Sequence, residues 1–257
     1  MKILLANDDG IMSPGIHLLA KYLQEEGHEL TIIAPENQRS ALSHAITLHK
    51  PIIIKEVSLD GIKGRAYSIS GTPADCVRVG MEFLTDGDID IVFSGINMGL
   101  NSGMDILYSG TVSAAIEANI YGIPSIAVSS EWNKGDVNYE IAAKYAVKLL
   151  NTISLEKLDT PMVLNLNTPF DLNNPEEPIK VCRIGGPIYD YYIAESNGNG
   201  DKTLKVTGRK NTVLEEDTDR YFLSKGYATL TPLGYDFTNF ELMDRIRECI
   251  EQGVGCE

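Results

Sequence analysis

The first part of the chain alternates between continuous apolar runs and stretches in which apolar residues recur every three or four positions. Residues 3–6 form a short apolar run that ends at an Asn-Asp-Asp-Gly turn, a pattern typical of a strand buried on both faces. After Pro14, residues at helical spacing predict a helix that ends near Gly27: Ile16, Leu19, Ala20 and Leu23. A second apolar run, residues 30–34, is stopped by Pro35. This strand–helix–strand order predicts a mostly parallel sheet of the doubly wound α/β class.

The same alternation continues to about residue 150, with one interruption. Residues 45–70 contain short β-rich runs without room for a long helix between them, which predicts an inserted antiparallel hairpin. The remaining elements predicted from the pattern are helices over 73–84, 110–121 and 139–150, strands over 89–93 and 124–128, and a Gly- and Asn-rich loop over 94–108. A long loop inside a compact domain is usually functional, so this loop is a candidate part of a site.

Beyond about residue 185 the pattern changes. A polar Gly/Asn-rich stretch over 195–210 is followed by an apolar, Thr-rich strand over 227–233 and an amphipathic helix over 239–251. We therefore divide the chain into a main domain, residues 1–185, and a C-terminal arm of hairpin and helix, residues 186–257, packed on the same fold. Because such an arm buries little apolar surface by itself, we expect it to pack against a second subunit.

The net charge limits which partners the protein can attract. With 36 acidic and 22 basic side chains the formal net charge is −14, which opposes attraction to DNA, RNA or an anionic membrane surface. A small anionic substrate is not excluded, because a metal ion or a helix N-terminus supplies positive potential locally. The N-terminal apolar run is too short for a signal peptide or a membrane span, so we expect a cytoplasmic protein. The four cysteines lack C-x-x-C spacing, which predicts buried or free thiols.

Two adjacent carboxylates, Asp8 and Asp9, follow the first predicted strand. Open parallel sheets bind ligands at the carboxyl ends of their strands. The turn after the strand lets both carboxylates converge, and two hard oxygen donors at one point suit Mg²⁺, Mn²⁺ or Ca²⁺. The same residues are also good turn formers, so local sequence leaves a metal site and a plain turn as alternatives.

Two polar residues, Ser40 and His44, follow the second predicted strand. The Ser40 hydroxyl is a candidate ligand for a metal or a phosphate, although its local sequence favours a helix N-cap. His44 also has two interpretations: it protonates a leaving group, or it occupies an ordinary solvent-facing position beside the hairpin. Local sequence favours the second.

The Gly- and Asn-rich loop contains Asn97 and Asn101 and leads to Ser109-Gly110-Thr111 at a predicted helix start. Alternating glycines let backbone amides approach a ligand closely, and the helix start directs its N–H groups at an anion. We therefore predict a phosphate cradle there. The chain lacks G-x-S-x-G, H-E-x-x-H and Walker A motifs and has no histidine cluster suited to zinc, which leaves an all-oxygen site.

These motifs, taken in order, resemble those of the survival protein E (SurE) family of metal-dependent 5′-nucleotidases. The matching segments extend over nearly the whole chain: Ile3–Gly10 with Pro14-Gly15, Ala34–Ser40, Gly71–Val77, Ser94–Asn97 through Ser109–Ala115, and Thr231–Leu233 with Asp236. The resemblance implies a Rossmann-like catalytic domain over 1–185 and a C-terminal oligomerisation arm over 186–257 that is exchanged in a homodimer or homotetramer. One departure is Ala41, where the family often has Gly, and a Cβ there narrows the backbone approach to substrate.

The resemblance also implies which residues carry the chemistry. One divalent cation per subunit, Mg²⁺ or Mn²⁺, would be bound by Asp8, Asp9, Ser40 and Asn97, which overrides the N-cap interpretation of Ser40. The catalytic residues would be Asp8, Asp9 and Asn97. The substrate would be held by Asn101, Ser109, Gly110, Thr111 and His44. That substrate would be a nucleoside 5′-monophosphate, with 3′-monophosphates and short polyphosphate left open.

Several mechanisms and functions remain as alternatives. Attack by a metal-activated water is ranked ahead of an aspartyl nucleophile at Asp8. A non-catalytic, metal-dependent nucleotide-binding regulatory module would need the cradle and would tolerate loss of Asp9. A metal-dependent sugar-nucleotide transferase would require an acceptor.

Overall fold

The structure is a computed structural model that describes residues 1–153, 162–173, 179–188, 190–196, 202–209 and 214–252. Its strands are β1 (Lys2–Ala6), β2 (Glu29–Pro35), β3 (Ile54–Val57), β4 (Arg65–Ile69), β5 (Ile91–Met98), β6 (Ser125–Ser130), β7 (Trp132–Asn133), β8 (Asp136–Val137), β9 (Val163–Thr168), β10 (Lys180–Val181), β11 (Asp190–Ser196), β12 (Lys202–Arg209) and β13 (Thr229–Leu233). Its α-helices are α1 (Pro14–Glu25), α2 (Pro73–Val79), α3 (Gly110–Ile120), α4 (Tyr139–Thr152), α5 (Asp219–Ser224) and α6 (Phe240–Gln252). A π-helical turn (Gly80–Leu84) follows α2, and a 3₁₀ helix (Gly103–Tyr108) precedes α3.

One sheet of nine strands organises the fold, in the order β10-β13-β9-β6-β5-β1-β2-β4-β3. The strands from β9 through β4 in this order are parallel, whereas β13 and β3 run antiparallel to their neighbours β9 and β4. The parallel part has the Rossmann order, in which the direction of chain progression reverses between β1 and β5. The predicted Rossmann-like, doubly wound class is confirmed. Ligands of this class bind where the carboxyl ends of those two strands diverge.

Helices cover both faces of the sheet. On one face α1 and α4 contribute small and branched side chains to the core, including Leu19, Ala20, Ala142 and Ala146. On the other face α2 and α3 contribute Cys76, Val77, Ala114 and Ala118. Consecutive residues Leu4 and Leu5 of β1 belong to opposite clusters and are both fully buried. Burial on both faces explains why this strand is an unbroken apolar run.

The helix predicted over 73–84 changes type at Gly80. There α2 ends, and a π-helical turn closes because Thr85 donates both its backbone N–H, at 3.0 Å, and its hydroxyl, at 2.8 Å, to the Gly80 carbonyl. A Cβ on Gly80 would lie 2.9 Å from the Leu4 side chain of β1. The missing side chain therefore lets the helix lie directly on the sheet.

The prediction of a long loop over 94–108 is wrong for most of these residues. Strand β5 continues to Met98, because its last two residues pair with the end of β6. Gly99 then donates its N–H to the Ser130 carbonyl at 2.8 Å, and the 3₁₀ helix occupies residues 103–108. The glycines that suggested a loop instead allow close packing inside a strand, since a Cβ on Gly95 would lie 2.3 Å from the Val128 carbonyl oxygen.

The two ends of the sheet are formed by the β3–β4 hairpin and by β13 with β10. The predicted antiparallel hairpin is β3–β4, and it joins the sheet because β4 pairs in parallel with β2. The strand predicted over 227–233 is β13, which lies between β9 and β10. This part of the C-terminal segment therefore completes the central sheet.

The other C-terminal elements are exposed. The polar stretch predicted over 195–210 falls on the antiparallel ribbon β11–β12, with residues 197–201 and 210 outside the described ranges. The helix predicted over 239–251 is α6. Together these elements expose many large apolar side chains: Tyr191, Tyr192, Ile193, Leu204, Val206, Phe240, Leu242, Met243, Ile246 and Ile250.

Two further predictions concern thiols and membranes. Cys76 and Cys182 are buried thiols, as predicted; the prediction is wrong for Cys249, which is disulfide-bonded, and Cys256 lies outside the described residues. Within the described ranges, no helix combines the length and the hydropathy that a bilayer crossing requires.

Candidate active site

The turn after β1 is closed by Asn7 and presents Asp8 and Asp9. The Asn7 side chain accepts the Gly10 N–H at 3.1 Å and donates to the Gly10 carbonyl at 3.0 Å and to Ser13 Oγ at 2.7 Å. Gly10 has a φ of +98°, which a residue with a Cβ rarely adopts. The Asn-Asp-Asp-Gly sequence therefore does form a tight turn, and this turn holds two carboxylates at the switch point.

Asp8 is the buried carboxylate of the pair. Thr111 donates its hydroxyl to Asp8 Oδ1 at 2.6 Å, and Gly110 packs so closely that a Cβ would lie 3.1 Å from Asp8 Oδ2. Burial raises the pKa of Asp8 to about 6; the Thr111 hydrogen bond opposes this shift, and the nearby Asp9 adds to it. A carboxylate this buried needs a positive partner to remain ionised.

Asp9 connects β1 to the ends of the two neighbouring strands. Its Oδ2 accepts the Met98 N–H at 2.9 Å from the end of β5, and its Oδ1 accepts Gln38 Nε2 at 3.3 Å from the segment after β2. Burial raises the pKa of Asp9, which these two hydrogen bonds oppose. Asn97, the residue before Met98, donates from Nδ2 to the Gly99 carbonyl at 2.8 Å, so its Oδ1 is the atom suited to a metal.

The N-terminus of α3 lies beside Asp8. Ser109 caps the helix by accepting the Val112 N–H at 3.1 Å. The first N–H groups of a helix have no partner within the helix. That of Thr111 is directed at the Asp8 carboxylate, whose pKa it helps to lower, and that of Gly110 precedes it at the helix start. The structure thus brings the predicted cradle, Ser109 to Thr111, to the Asp8 carboxylate.

Ser40 lies on an exposed segment that follows β2. The backbone of this segment is attached to the site, because the Arg39 N–H donates to the Asp8 carbonyl at 2.6 Å. The next two residues that bend the segment, Ala41 at φ +57° and Ser43 at +53°, are in the left-handed region. Ala41, where the related family often has Gly, thus occupies a conformation that favours Gly.

His44 contacts α3 at Glu117, which lies beyond the Ser109–Thr111 cradle along the helix. Its Nε2 lies 2.6 Å from Oε2 of Glu117, whose Oε1 accepts Arg78 at 3.0 Å. Burial would raise the pKa of Glu117, but the hydrogen bonds from His44 and Arg78 outweigh it and lower the pKa. Glu117 is six residues beyond Thr111, or about 9 Å along the helix axis. His44 is therefore engaged with Glu117, away from the helix N-terminus.

Asn101 anchors the loop that follows β5. Its N–H donates to Asn167 Oδ1 at 2.9 Å, its Nδ2 donates to Ser129 at 2.9 Å, and its carbonyl accepts Asn165 at 2.8 Å and Asn167 at 3.0 Å. These partners lie near the carboxyl ends of β6 and β9. Asn101 is buried by this network. Its hydrogen bonds hold the loop in place, and this role is more direct than the predicted contact with phosphate.

The same loop is held from the other side by α5. Asp219 is fully buried and accepts the Gly103 N–H at 2.7 Å, while Arg220 donates from Nη2 to the Ser102 carbonyl at 2.9 Å. Arg220 also pairs with Asp105 at 3.2 Å. Gly103 is required here, since a Cβ would lie 2.3 Å from Arg220 Nε.

Sequence reasoning did not identify this supporting shell. Asp219 and Arg220 lie more than a hundred positions from the loop, and no local motif marks them. Asn165 and Asn167 carried a usable signal, because they are alternate polar residues near the carboxyl end of an otherwise apolar run, Val163–Thr168.

The side chains around Asp8 fit a divalent cation. Asp8, Asp9, Ser40 and Asn97 offer only oxygen atoms, which suit Mg²⁺ or Mn²⁺. In the described part of the chain no three His, Cys, Asp or Glu side chains group as a metal site, so the set depends on its serine and amide oxygens. The raised pKa values of both carboxylates mark a place where a cation would be stabilising. Fold and site together define a Rossmann-like α/β protein with paired carboxylates and a helix N-terminus at its switch point.

Comparison with known proteins identifies the family. The family model described as survival protein SurE matches residues 3–190. The 5′-nucleotidase SurE of Clostridium beijerinckii is 50% identical over 256 residues, covering 98% of this chain and 100% of the relative. The protein of the same name from Clostridium tetani is 48% identical, covering 96% of this chain and 98% of the relative. A crystal structure of SurE protein from Aquifex aeolicus superposes with a TM-score of 0.83 at 33% identity, covering 97% of this chain and 100% of that chain. The chain belongs to the survival protein SurE family.

Proposed function

We propose that this protein is a divalent-metal-dependent phosphomonoesterase that releases phosphate from nucleoside 5′-monophosphates. The observation that carries the proposal is the buried Asp8 carboxylate between Thr111 and Gly110 at the N-terminus of α3, with Asp9 beside it. A cation site and an anion site therefore share one wall, as hydrolysis of a phosphate ester requires. The names of the relatives agree with this activity.

The roles of the residues follow from their positions. Asp8 and Asp9, with Ser40 and Asn97, would hold the cation. When bound, the cation polarises a phosphate oxygen and lowers the pKa of a water molecule. The helix start at Ser109, Gly110 and Thr111 would hold the other phosphate oxygens and stabilise the charge that develops on them during in-line displacement. Asp8 is restrained by the Thr111 hydrogen bond, which favours a ligand role over an aspartyl nucleophile.

Phosphate release from nucleoside 5′- and 3′-monophosphates and short polyphosphate, with Mg²⁺, Mn²⁺ or EDTA, tests the activity. We expect release from 5′-monophosphates only with metal, and a loss of at least ~100-fold in Asp9→Asn. The exposed Asp60→Asn carries the same change of charge away from the site and should retain full activity. A labelled phosphate trapped on Asp8 would replace the water mechanism by a covalent one.

The regulatory-module alternative makes the opposite prediction. A binder would take up nucleotide with metal, release no phosphate from any substrate, and tolerate Asp9→Asn. Release that requires an added acceptor would instead indicate a transferase.

The proposal includes a cytoplasmic homodimer or homotetramer. The arm of β11–β12 and α6 supports an oligomer, because it exposes apolar side chains such as Ile193, Leu204 and Phe240 that a second subunit would cover. Light scattering coupled to size-exclusion chromatography tests this part, and a monomer at micromolar concentration contradicts it. Activity of the wild type with each metal decides between Mg²⁺ and Mn²⁺.

A further inference from the structure

A cavity of about 740 Å³ adjoins the site on the side of the loop after β5. Its walls come from that loop, from the start of the β7–β8 hairpin and from α5. Gly99 lines it, and the Gly99 carbonyl accepts the Asn97 amide at 2.8 Å, so the cavity begins two residues from a proposed metal ligand. The cavity wall is thus joined to Asn97 by a hydrogen bond, and we expect a group attached to a phosphate at the site to extend toward it.

The chemistry of the cavity walls favours an uncharged, flat group. Trp132 stands at the wall with 55% of its surface exposed, and Leu100 and Leu223 add apolar surface. Asp105, Glu131 and Arg220 also line the cavity; Arg220 pairs with Asp105 at 3.2 Å, so the negative charge that remains on the wall is that of Glu131. Carboxylates accept hydrogen bonds from ribose hydroxyls and from the amino groups of bases.

The cavity walls are held in place by hydrogen bonds. Arg220 binds the Ser102 carbonyl and the Asp105 carboxylate, and Glu131 Oε2 accepts the Phe170 N–H at 2.9 Å. Two of the polar wall groups are thus oriented before a ligand arrives, which lowers the entropic cost of binding.

A second cavity, of about 330 Å³, is lined by Asp9, Glu36, Met98 and Tyr139. It includes a proposed metal ligand and belongs to the reaction centre. Its one aromatic ring is that of Tyr139. Burial raises the pKa of Tyr139 to about 12, and the nearby Asp9 carboxylate adds to this shift. The larger cavity is the one with an exposed aromatic face away from the carboxylate pair.

We propose that the 740 Å³ cavity binds the nucleoside part of the substrate, with the base stacked on Trp132. This inference rests on the proposed nucleotidase function and names the part of the protein that distinguishes a nucleotide from other phosphate monoesters. Stacking does not depend on which base is present, so Trp132 selects nucleotides as a class.

Fluorescence tests the cavity independently of turnover. Trp132 is the only tryptophan in the chain, so intrinsic emission excited at the tryptophan band reports this wall alone. We expect saturable quenching by adenosine, which carries no phosphate, and no quenching by ribose 5-phosphate at the same concentrations. Unchanged emission with saturating AMP in the metal-loaded Asp9→Asn variant, together with no response to adenosine, overturns the proposal.

Kinetics with paired substrates test the consequence for selection. In Trp132→Ala we expect kcat/KM for AMP to fall roughly 5- to 100-fold, the range for loss of one stacking contact, while hydrolysis of ribose 5-phosphate is unchanged. Trp132→Phe keeps a stacking face and should recover most of the AMP activity. Phe83→Ala removes another exposed aromatic, on the π-helical turn, and should leave both substrates unaffected.

Two outcomes contradict the assignment. Equal loss on AMP and ribose 5-phosphate in Trp132→Ala would make Trp132 a structural residue. A selective loss on AMP in Tyr139→Leu, with Trp132→Ala unaffected, would place the base in the 330 Å³ cavity. Failure of the wild type to hydrolyse either substrate would refute the proposed function instead, and the adenosine titration would still decide whether the cavity binds nucleosides.

Discussion

The two sides of the site are built differently. The Asp8 wall, which consists of Asp8, Gly110 and Thr111, is buried; Thr111 donates to Asp8 at 2.6 Å, and a Cβ added to Gly110 would lie only 3.0 Å from Asp8. The Ser40 segment, residues 38–44, is largely exposed and is attached by backbone hydrogen bonds, including Ser43 N–H to the Tyr108 carbonyl at 3.1 Å. One side of the site is defined by packing, and the other by the path of a surface segment.

This difference predicts how each side responds to substitution. A packed wall transmits a small displacement directly to the carboxylate, because dense interiors do not absorb added atoms. An exposed segment relaxes, and its residues at positive φ, Ala41 and Ser43, already carry a conformational cost of about 1 kcal/mol each. We therefore expect large effects on the wall and graded effects on the segment.

Among the substitutions that compare the two sides of the site, the largest effect is expected for Gly110→Ala. The new Cβ would meet Asp8 Cβ at 3.0 Å, so Asp8 must shift and the cation and phosphate sites separate. We expect kcat/KM for a nucleoside monophosphate to fall about 100-fold. Gly234→Ala, where a Cβ meets nothing within 4 Å, is the matched control. Near-normal kinetics in Gly110→Ala would mean that the wall is as adaptable as the segment.

A smaller effect is expected for Ser40→Ala. Loss of one oxygen ligand from the exposed segment should weaken metal binding about tenfold, and saturating metal should restore most of kcat. The measurement is the metal concentration for half-maximal activity. Ser58→Ala, at another exposed position, should not change it. A loss of kcat that saturating metal does not restore would assign Ser40 a role in the reaction itself.

The third prediction concerns pH. The Asp8 pKa is raised from 3.8 to about 6, so between these values the folded metal-free protein binds a proton that the unfolded chain does not. This group therefore stabilises the metal-free fold least above pH 6 and progressively more as pH falls toward 4. A cation requires the ionised form, so the metal-induced rise in Tm should be larger at pH 7.5 than at pH 5, by about 3 °C. An equal rise at both pH values, or the same pH dependence in Asp8→Asn, would contradict this.

The smallest effect is expected for Ala41→Gly. Glycine adopts a φ of +57° without the steric cost, but it increases the entropy of the unfolded chain, so the net gain in unfolding free energy should stay below about 1 kcal/mol. Urea denaturation measures it. Ala45→Gly lies directly after the segment, is not at positive φ, and should instead lose stability. If both variants lost stability equally, the left-handed conformation would not govern Ala41.

The fold was largely predictable because the parallel strands are buried on both faces. Residues 3–6 and 30–34 are apolar runs, which predict such strands. The helix between them, α1, has apolar residues at regular helical spacing. The prediction failed at 94–108, where Gly95 packs against the Val128 carbonyl and Gly99 continues the pairing of β5. Glycine in a sequence does not distinguish a loop from a closely packed strand.

The candidate site was predictable where its residues are adjacent in sequence. Two groups of site residues are each contiguous in sequence: Asp8 with Asp9, and Ser109 to Thr111. The structure brings these two groups together. The placement of Asn101 and His44 depends on distant partners, Asn167 and Glu117, which no local pattern reveals. The same holds for the α5 residues that support the loop.

The bonds from α5 to the loop also bear on how the protein is made. Asp219 accepts the Gly103 N–H across 116 positions of sequence, so a chain leaving the ribosome has Asp8 and Asp9, the proposed metal ligands, long before it has the groups that fix the neighbouring loop. A nascent or prematurely ended chain therefore carries the chemical groups without the organised cavity. We therefore expect activity to appear only after the last part of the chain has been translated, so that activity reports that the chain has been made in full.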